Sequence, residues 1–133
     1  MANECLCNAA SCLIFPCSGA ADVGAIADQA ARRLTRKGVG RMYCLAGIGG
    51  RVSGIIKTTE AASVILAISG CELDCAKRCL ESAGFSGFKH FRVTDLGIKK
   101  GASPPTDERV ERVMEEARRL LTDADLKDEK GRR

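Results

Sequence analysis

The 133-residue chain has no tryptophan, one tyrosine, four phenylalanines and a single histidine. A core this short of rings must be built from Ala, Val, Ile and Leu, which suits helices lying close against a sheet. The shortage also removes the stacking platform on which single-strand nucleic-acid binders rely. Lys and Arg are interleaved with acids rather than gathered into a stripe, so the net charge of +4 does not point to nucleic acid. No apolar run approaches the ~20 residues that cross a bilayer. The opening MANECLCNAA lacks both the basic start and the long apolar stretch of a secretory leader. The expectation is a cytoplasmic protein with neither nucleic acid nor membrane as a partner.

Three motifs are missing as well. There is no C-x2-C pair of the zinc-ribbon or thioredoxin kind. The glycine-rich GIGGRVSG has no Walker lysine with its Ser or Thr, so tight turns explain it better than a phosphate cradle. A Cys-x5-Arg oxyanion loop fails by one residue, because six residues separate Cys44 from Arg51.

What the chain does have is eight cysteines. In a reducing compartment cysteines serve metal binding or catalysis more often than structural disulfides. Their meaning depends on where the fold puts them. SCLIFPC (Ser11 to Cys17) reads as a buried strand, followed by a helix whose apolar stripe is Val23, Ile26, Ala27, Ala30, Ala31 and Leu34. Asp22 is an early-turn acid, and Gly38 suits the position just past the helix end. GRMYCLAG (Gly40 to Gly47) reads as a second strand ending in a glycine-rich turn, with a short helix across Val52 to Thr59. SVILAIS (Ser63 to Ser69) is continuous, apolar and β-branched, the pattern of a strand buried on both faces. A helix follows from Cys71 to near Gly84. KHFRVTD (Lys89 to Asp95) reads as strand four. A last helix begins at Thr106 or Asp107 with the stripe Val110, Val113, Met114, Ala117, Leu120 and Leu121.

This βαβαβαβα order predicts a single-domain three-layer α/β/α fold with a mostly parallel four-stranded sheet, Rossmann-like or flavodoxin-like. The domain spans residues 12–123, between a loose cysteine-bearing arm (1–11) and a charged tail (124–133). In open α/β sheets the functional crevice lies at the carboxyl ends of the strands. Cys17, Cys44 and Cys71 all fall there, and Cys75 stands one helical turn beyond Cys71. Four such thiolates can converge on one tetrahedral ion, and an iron–sulfur cluster could use the same ligands. Cys79 and Cys12 read as packing residues, since free cysteine behaves as a small hydrophobe. Cys5 and Cys7 are spare ligands at most.

Thiol chemistry is the rival. Cys17 and Cys71 both precede helices, where the dipole favours thiolate. Cys71 could attack, with Cys75 or Cys44 resolving, in thiol/disulfide or sulfur transfer. A protein-association scaffold is a third possibility, and whether the chain is an enzyme stays open. His90 reads as a lone exposed histidine, Asp95 as a neighbour of the site or a turn cap, and Arg51, Lys77 and Arg78 as solvated charges able to offset a thiolate cluster.

FPCSGAADVG, CLAGIGGRVSGI and ISGCELDCAKRCLESAGF together resemble the DGC-domain family of small bacterial and archaeal proteins, which is described as zinc-binding. The resemblance covers most of residues 12–121 and implies Cys17, Cys44, Cys71 and Cys75 as the zinc ligands. The family's Asp-Gly-Cys motif stands here as Ser69-Gly70-Cys71. The resemblance implies a site and no particular reaction.

Overall fold

The structure is a computed structural model; it describes residues 12–131, with side chains described as far as Thr122. The arm that carries Cys5 and Cys7 lies outside the described residues. The elements are β1 (Cys12–Pro16), α1 (Asp22–Arg36), β2 (Arg41–Met42), α2 (Leu45–Gly49), α3 (Ser53–Glu60), β3 (Val64–Ser69), α4 (Cys75–Ser82), β4 (Lys89–Arg92), a 3-10 turn (Val93–Leu96) and α5 (Asp107–Gly131). All three strand pairings are parallel, and the strand order is β2-β1-β3-β4. That is the start of the flavodoxin-like order, and its switch point falls between β1 and β3.

Period-2 alternation of two apolar faces explains the layers. Ile14, Leu66 and Ile68 join the α1 stripe and Val110, Val113, Met114 and Ala117 of α5 in one core. Leu13, Phe15 and Ala67 face the other way, against Ile48 of α2, Ile55 and Ile56 of α3, and Ala76 and Leu80 of α4. The scarce aromatics concentrate in this second core, where Phe15 and Tyr43 meet edge to face at 6.1 Å. The expected three-layer parallel fold is therefore present. None of the described helices is long and apolar enough to cross a membrane.

Four local expectations are corrected, the first being strand four, which ends at Arg92 with Val93–Leu96 forming a 3-10 turn. The second strand is only two residues long, and Leu45–Gly49, expected as strand end and turn, forms the short helix α2. The helix expected from Cys71 starts at Cys75, because Asp74 takes a left-handed backbone (φ 56°, ψ 41°) that a right-handed helix cannot include. The last helix runs on to Gly131, into the stretch read as a charged tail.

Asp22 does more than suit a helix dipole. Its carboxylate accepts the backbone N–H groups of Gly101 (2.9 and 3.0 Å) and Ser103 (2.9 Å), as well as that of Val23. The Gly101 and Ser103 amides hold its pKa below the ordinary carboxylate value, against an opposing effect of burial. A depressed carboxylate favours the fold above its unfolded value of about 3.9 and loses that contribution as pH falls through the lower folded value. Asp22→Asn is expected to release the 99–103 loop, read as several-fold faster hydrogen exchange at the Gly101 and Ser103 amides. Unchanged protection of those two amides would contradict the docking role.

Candidate functional site

The carboxyl edge of the sheet is built by close backbone approach. A Cβ on Gly24 would lie 2.8 Å from the backbone nitrogen and oxygen of Gly19, and one on Gly70 would lie 3.0–3.2 Å from Val23 and Gly24. These three glycines let the loop after β1, the start of α1 and the loop after β3 meet. The Cys17 N–H donates to Ile68 O (2.9 Å) and extends the β1–β3 ladder by one step. Cys17 and Cys71 thus flank the switch point from its two sides.

Cys75, at the first position of α4, is the hub. Although the residue is exposed, its thiol is partly desolvated and is pushed up in pKa first by that burial. The thiols of Cys17, Cys71 and Cys79 add to the rise, as does a hydrogen bond with Cys17. Cys79 therefore borders the cluster while also packing in the second core with Leu80 and Ala76. Cys12 is buried in the first core, as its packing assignment required. Cys44 stands at the same sheet edge, preceding α2, but it is not among the groups acting on Cys75. It lines a groove of about 510 Å³ with Arg32, Thr35, Arg36, Met42 and Tyr43.

Cys71 is 8% exposed, and Lys100 Nζ lies 3.4 Å from its sulfur. The loop docked by Asp22 is what brings Lys100 there. A negative charge on Cys71 would have a cation beside it, whereas Cys75 sits among other thiols. The two thiols that the sequence pairs by spacing are chemically unlike.

Behind them lies a network. Asp74, 7% exposed, accepts two hydrogen bonds from Arg92 of β4, at 2.7 and 2.8 Å. Arg92 is the main reason its carboxyl is held below the usual range. Left-handed backbone costs an L-residue about 1–2 kcal/mol, less for Asp than for most, and here the ion pair offsets it. His90 is half-buried rather than exposed. Its Nε2 lies 2.9 Å from Ser69 Oγ and 3.7 Å from Asp74. Burial lowers its pKa, partly countered by Asp74. One nitrogen facing both Ser69 and Asp74 is not a hydrolytic triad, which needs the two ring nitrogens to serve opposite partners.

Three of the remaining charges have structural work. The Asp95 carboxylate accepts the Arg92 N–H (3.1 Å), the turn-capping role of the two expected for it. Arg51 donates to Ile48 O and to Ser82 O and Oγ, tying α2 to the end of α4. Arg78 donates to Leu73 O within the cysteine turn. Sequence reasoning missed Lys100, Asp74 and Arg92; only the acid of ELDC, placed between two cysteines, hinted at them.

As to metal, no three His, Cys, Asp or Glu side chains among the described residues are gathered so as to hold an ion. The thiols of Cys17, Cys71 and Cys75, with Cys79 and Cys44 at the margin, are soft donors of the kind that zinc takes. The positions as they stand are not a closed cage.

No solved structure matches the chain. The Anaerobic and virulence modulator AnvM of Pseudomonas aeruginosa is 34% identical over 111 residues, covering 83% of this chain and 85% of that protein. The DGC domain matches residues 13–117, a span that includes Cys17, Cys44, Cys71 and Cys75 together with the Ser69-Gly70-Cys71 turn. The chain belongs to the DGC-domain family.

Proposed function

We propose that this chain is a regulatory protein whose working element is the thiol set at the β1–β3 switch point, read out as a change in thiol state. The contact between Lys100 and Cys71 carries this reading. It supports Cys71 as the attacking thiol, with a cation beside its sulfur, and leaves Cys75, whose pKa is raised by burial and the neighbouring thiols, to resolve. With a small disulfide RSSR as co-reactant, the Cys71 thiolate attacks one sulfur, forms Cys71–S–SR and expels RS⁻. Cys75 then loses its proton to solvent and attacks the Cys71 sulfur, expelling the second RS⁻. Two protein thiols lose two electrons, and the small disulfide gains them. The relative named as an anaerobic and virulence modulator supports a regulatory role of this kind. No step requires a protein substrate.

Equilibration in oxidised and reduced glutathione without oxygen, followed by alkylation and peptide mass analysis, tests the reading. Cys71 and Cys75 are expected to become protected together while Cys44 stays alkylable. Lys100→Ala is expected to slow formation of the mixed disulfide by roughly tenfold, through loss of the adjacent cation. A Cys71→Ser chain that forms the same disulfide at the parent rate would end the proposal.

The donor set supports a second reading, zinc binding by Cys17, Cys71 and Cys75 with Cys44 or Cys79 as the fourth ligand. A thiol crowded by three others is a setting that a bound cation relieves. Bound zinc would fix the thiolates and make them poor targets for oxidation. Protein purified without oxygen or chelator would then carry close to one zinc ion per chain, lost in Cys75→Ser and released on acidification as protons compete for the ligands. Visible absorbance in the same sample would mark an iron–sulfur cluster instead. Metal-free protein with freely alkylated Cys17, Cys71 and Cys75 excludes both metal readings.

A further inference from the structure

We infer that the Asp74–Arg92 ion pair is a positioning device that holds Cys71 in its buried place by preventing α4 from extending backward. This inference rests on the thiol reading only in taking Cys71 as the reactive residue. The four-residue turn Cys71-Glu72-Leu73-Asp74 is closed by the Asp74 N–H donating to Cys71 O at 3.0 Å. No glycine stands in the turn to favour a left-handed residue, and the pattern of ELDCAKRC reads as a continuous helix. The constraint comes from β4, where Arg92 holds both carboxylate oxygens of Asp74.

Arg92 is in turn fixed by its strand, since it lies opposite Ser69 in the β3–β4 register. Its own N–H is held by Asp95. On the other side of the turn, Gly70 O accepts the Thr94 N–H at 3.2 Å. The turn is therefore tied to the β4 end at both of its ends, once through backbone and once through the ion pair. Releasing the ion pair frees Asp74 to take helical backbone, so that Cys71 joins α4 as its first turn and leaves the pocket beside Lys100. The Leu73 side chain, 57% exposed at the tip of the turn, offers no packing that would resist the change, and the Arg78 side chain that holds Leu73 O does so in an exposed hydrogen bond.

Per-cysteine alkylation rates by mass spectrometry, with Cys44 as the internal reference on each chain, test the inference. Arg92→Gln is expected to raise the Cys71 rate at least about tenfold relative to Cys44, as a buried thiol reacts through local opening. Arg92→Lys keeps the charge without the two-pronged contact and is expected to fall between. Asp74→Gly is expected to behave like Arg92→Gln although glycine accepts left-handed backbone freely, since the ion pair and not the conformational preference is the restraint. Leu34→Ala, at the far end of α1, controls for general loosening and is expected to leave the ratio at the parent value. If Arg92→Gln does not fold, Asp74→Asn gives the same reading with side-chain size preserved. A ratio within twofold of the parent, or an equal rise in Leu34→Ala, would overturn the inference. Neither result depends on whether Cys71 and Cys75 form a disulfide, so the two proposals fail separately.

Discussion

Gly24→Ala is expected to lower stability by about 2 kcal/mol, a fall in Tm on the order of 5–10 °C, although it places alanine inside a helix. Intrinsic propensity argues the other way, since alanine is favoured over glycine in a helix interior by about 1 kcal/mol. The neighbouring backbone decides the sign. A Cβ at Gly24 would stand 2.8 Å from both the nitrogen and the oxygen of Gly19, with the carbonyl carbon at 3.0 Å. No rotamer change relieves a clash with main chain, so the Cys17 loop must move away from α1. Gly54→Ala is the matched control. It also lies in a helix, and nothing stands within 4 Å of its added Cβ, so a gain of roughly 0.4–1 kcal/mol is expected from the reduced freedom of the unfolded chain. Denaturant midpoints of the two variants, moving in opposite directions, are the measurement. A stabilised Gly24→Ala would mean that the Gly19 segment yields without cost.

The same contrast explains how far the sequence could be read. SVILAIS declares a two-faced strand because its pattern is local and uninterrupted, and the α1 stripe declares itself by period. From those elements and the right-handed crossover rule, the parallel sheet and its carboxyl edge follow, with Cys17, Cys44 and Cys71 upon it. The failures are at residues whose conformation is set from far along the chain. CLAGIGG carries the glycines of a turn, yet it closes into α2 because Ile48 packs in the second core. Asp74 looks helical in ELDC and is turned left-handed by Arg92, 18 residues later. Asp22 looks like a dipole partner, but its main hydrogen-bond donors are 79 and 81 residues away. Those long-range partners place Lys100 beside Cys71. The sequence reveals which thiols share an edge but not which of them has a cation for company, and that difference divides their proposed roles.

Ser69→Asp, which would restore the acid of the family motif, is expected to reverse the pH dependence of stability near neutrality. In the parent, burial depresses the His90 pKa. A base with a depressed folded pKa contributes fully above its unfolded value, near 6.5, and loses that contribution as pH falls toward the folded value. Stability of the parent therefore declines on mild acidification. In the variant, a carboxyl replaces a hydroxyl that is fully buried and 2.9 Å from His90. Arg92 is already committed to Asp74 on both its hydrogen bonds, so one guanidinium must serve two carboxylates. Unless Arg92 leaves Asp74 for it, the second charge is met by protonating His90 or by keeping the new carboxyl neutral. Both routes raise a folded pKa above its unfolded value, and both contributions are lost as pH rises. With about one extra proton held by the native state, the cost grows at up to roughly 1.4 kcal/mol per pH unit across the window between the unfolded and folded values. Urea midpoints of variant and parent at pH 5.5 and pH 8 are expected to diverge, with the variant losing more at the higher pH. A variant whose deficit relative to the parent stays constant, or shrinks, as pH rises would show that Arg92 releases Asp74 and neutralises the new carboxylate alone. In that case Cys71 should also become more reactive toward alkylation, since the restraint on its turn would have been given up.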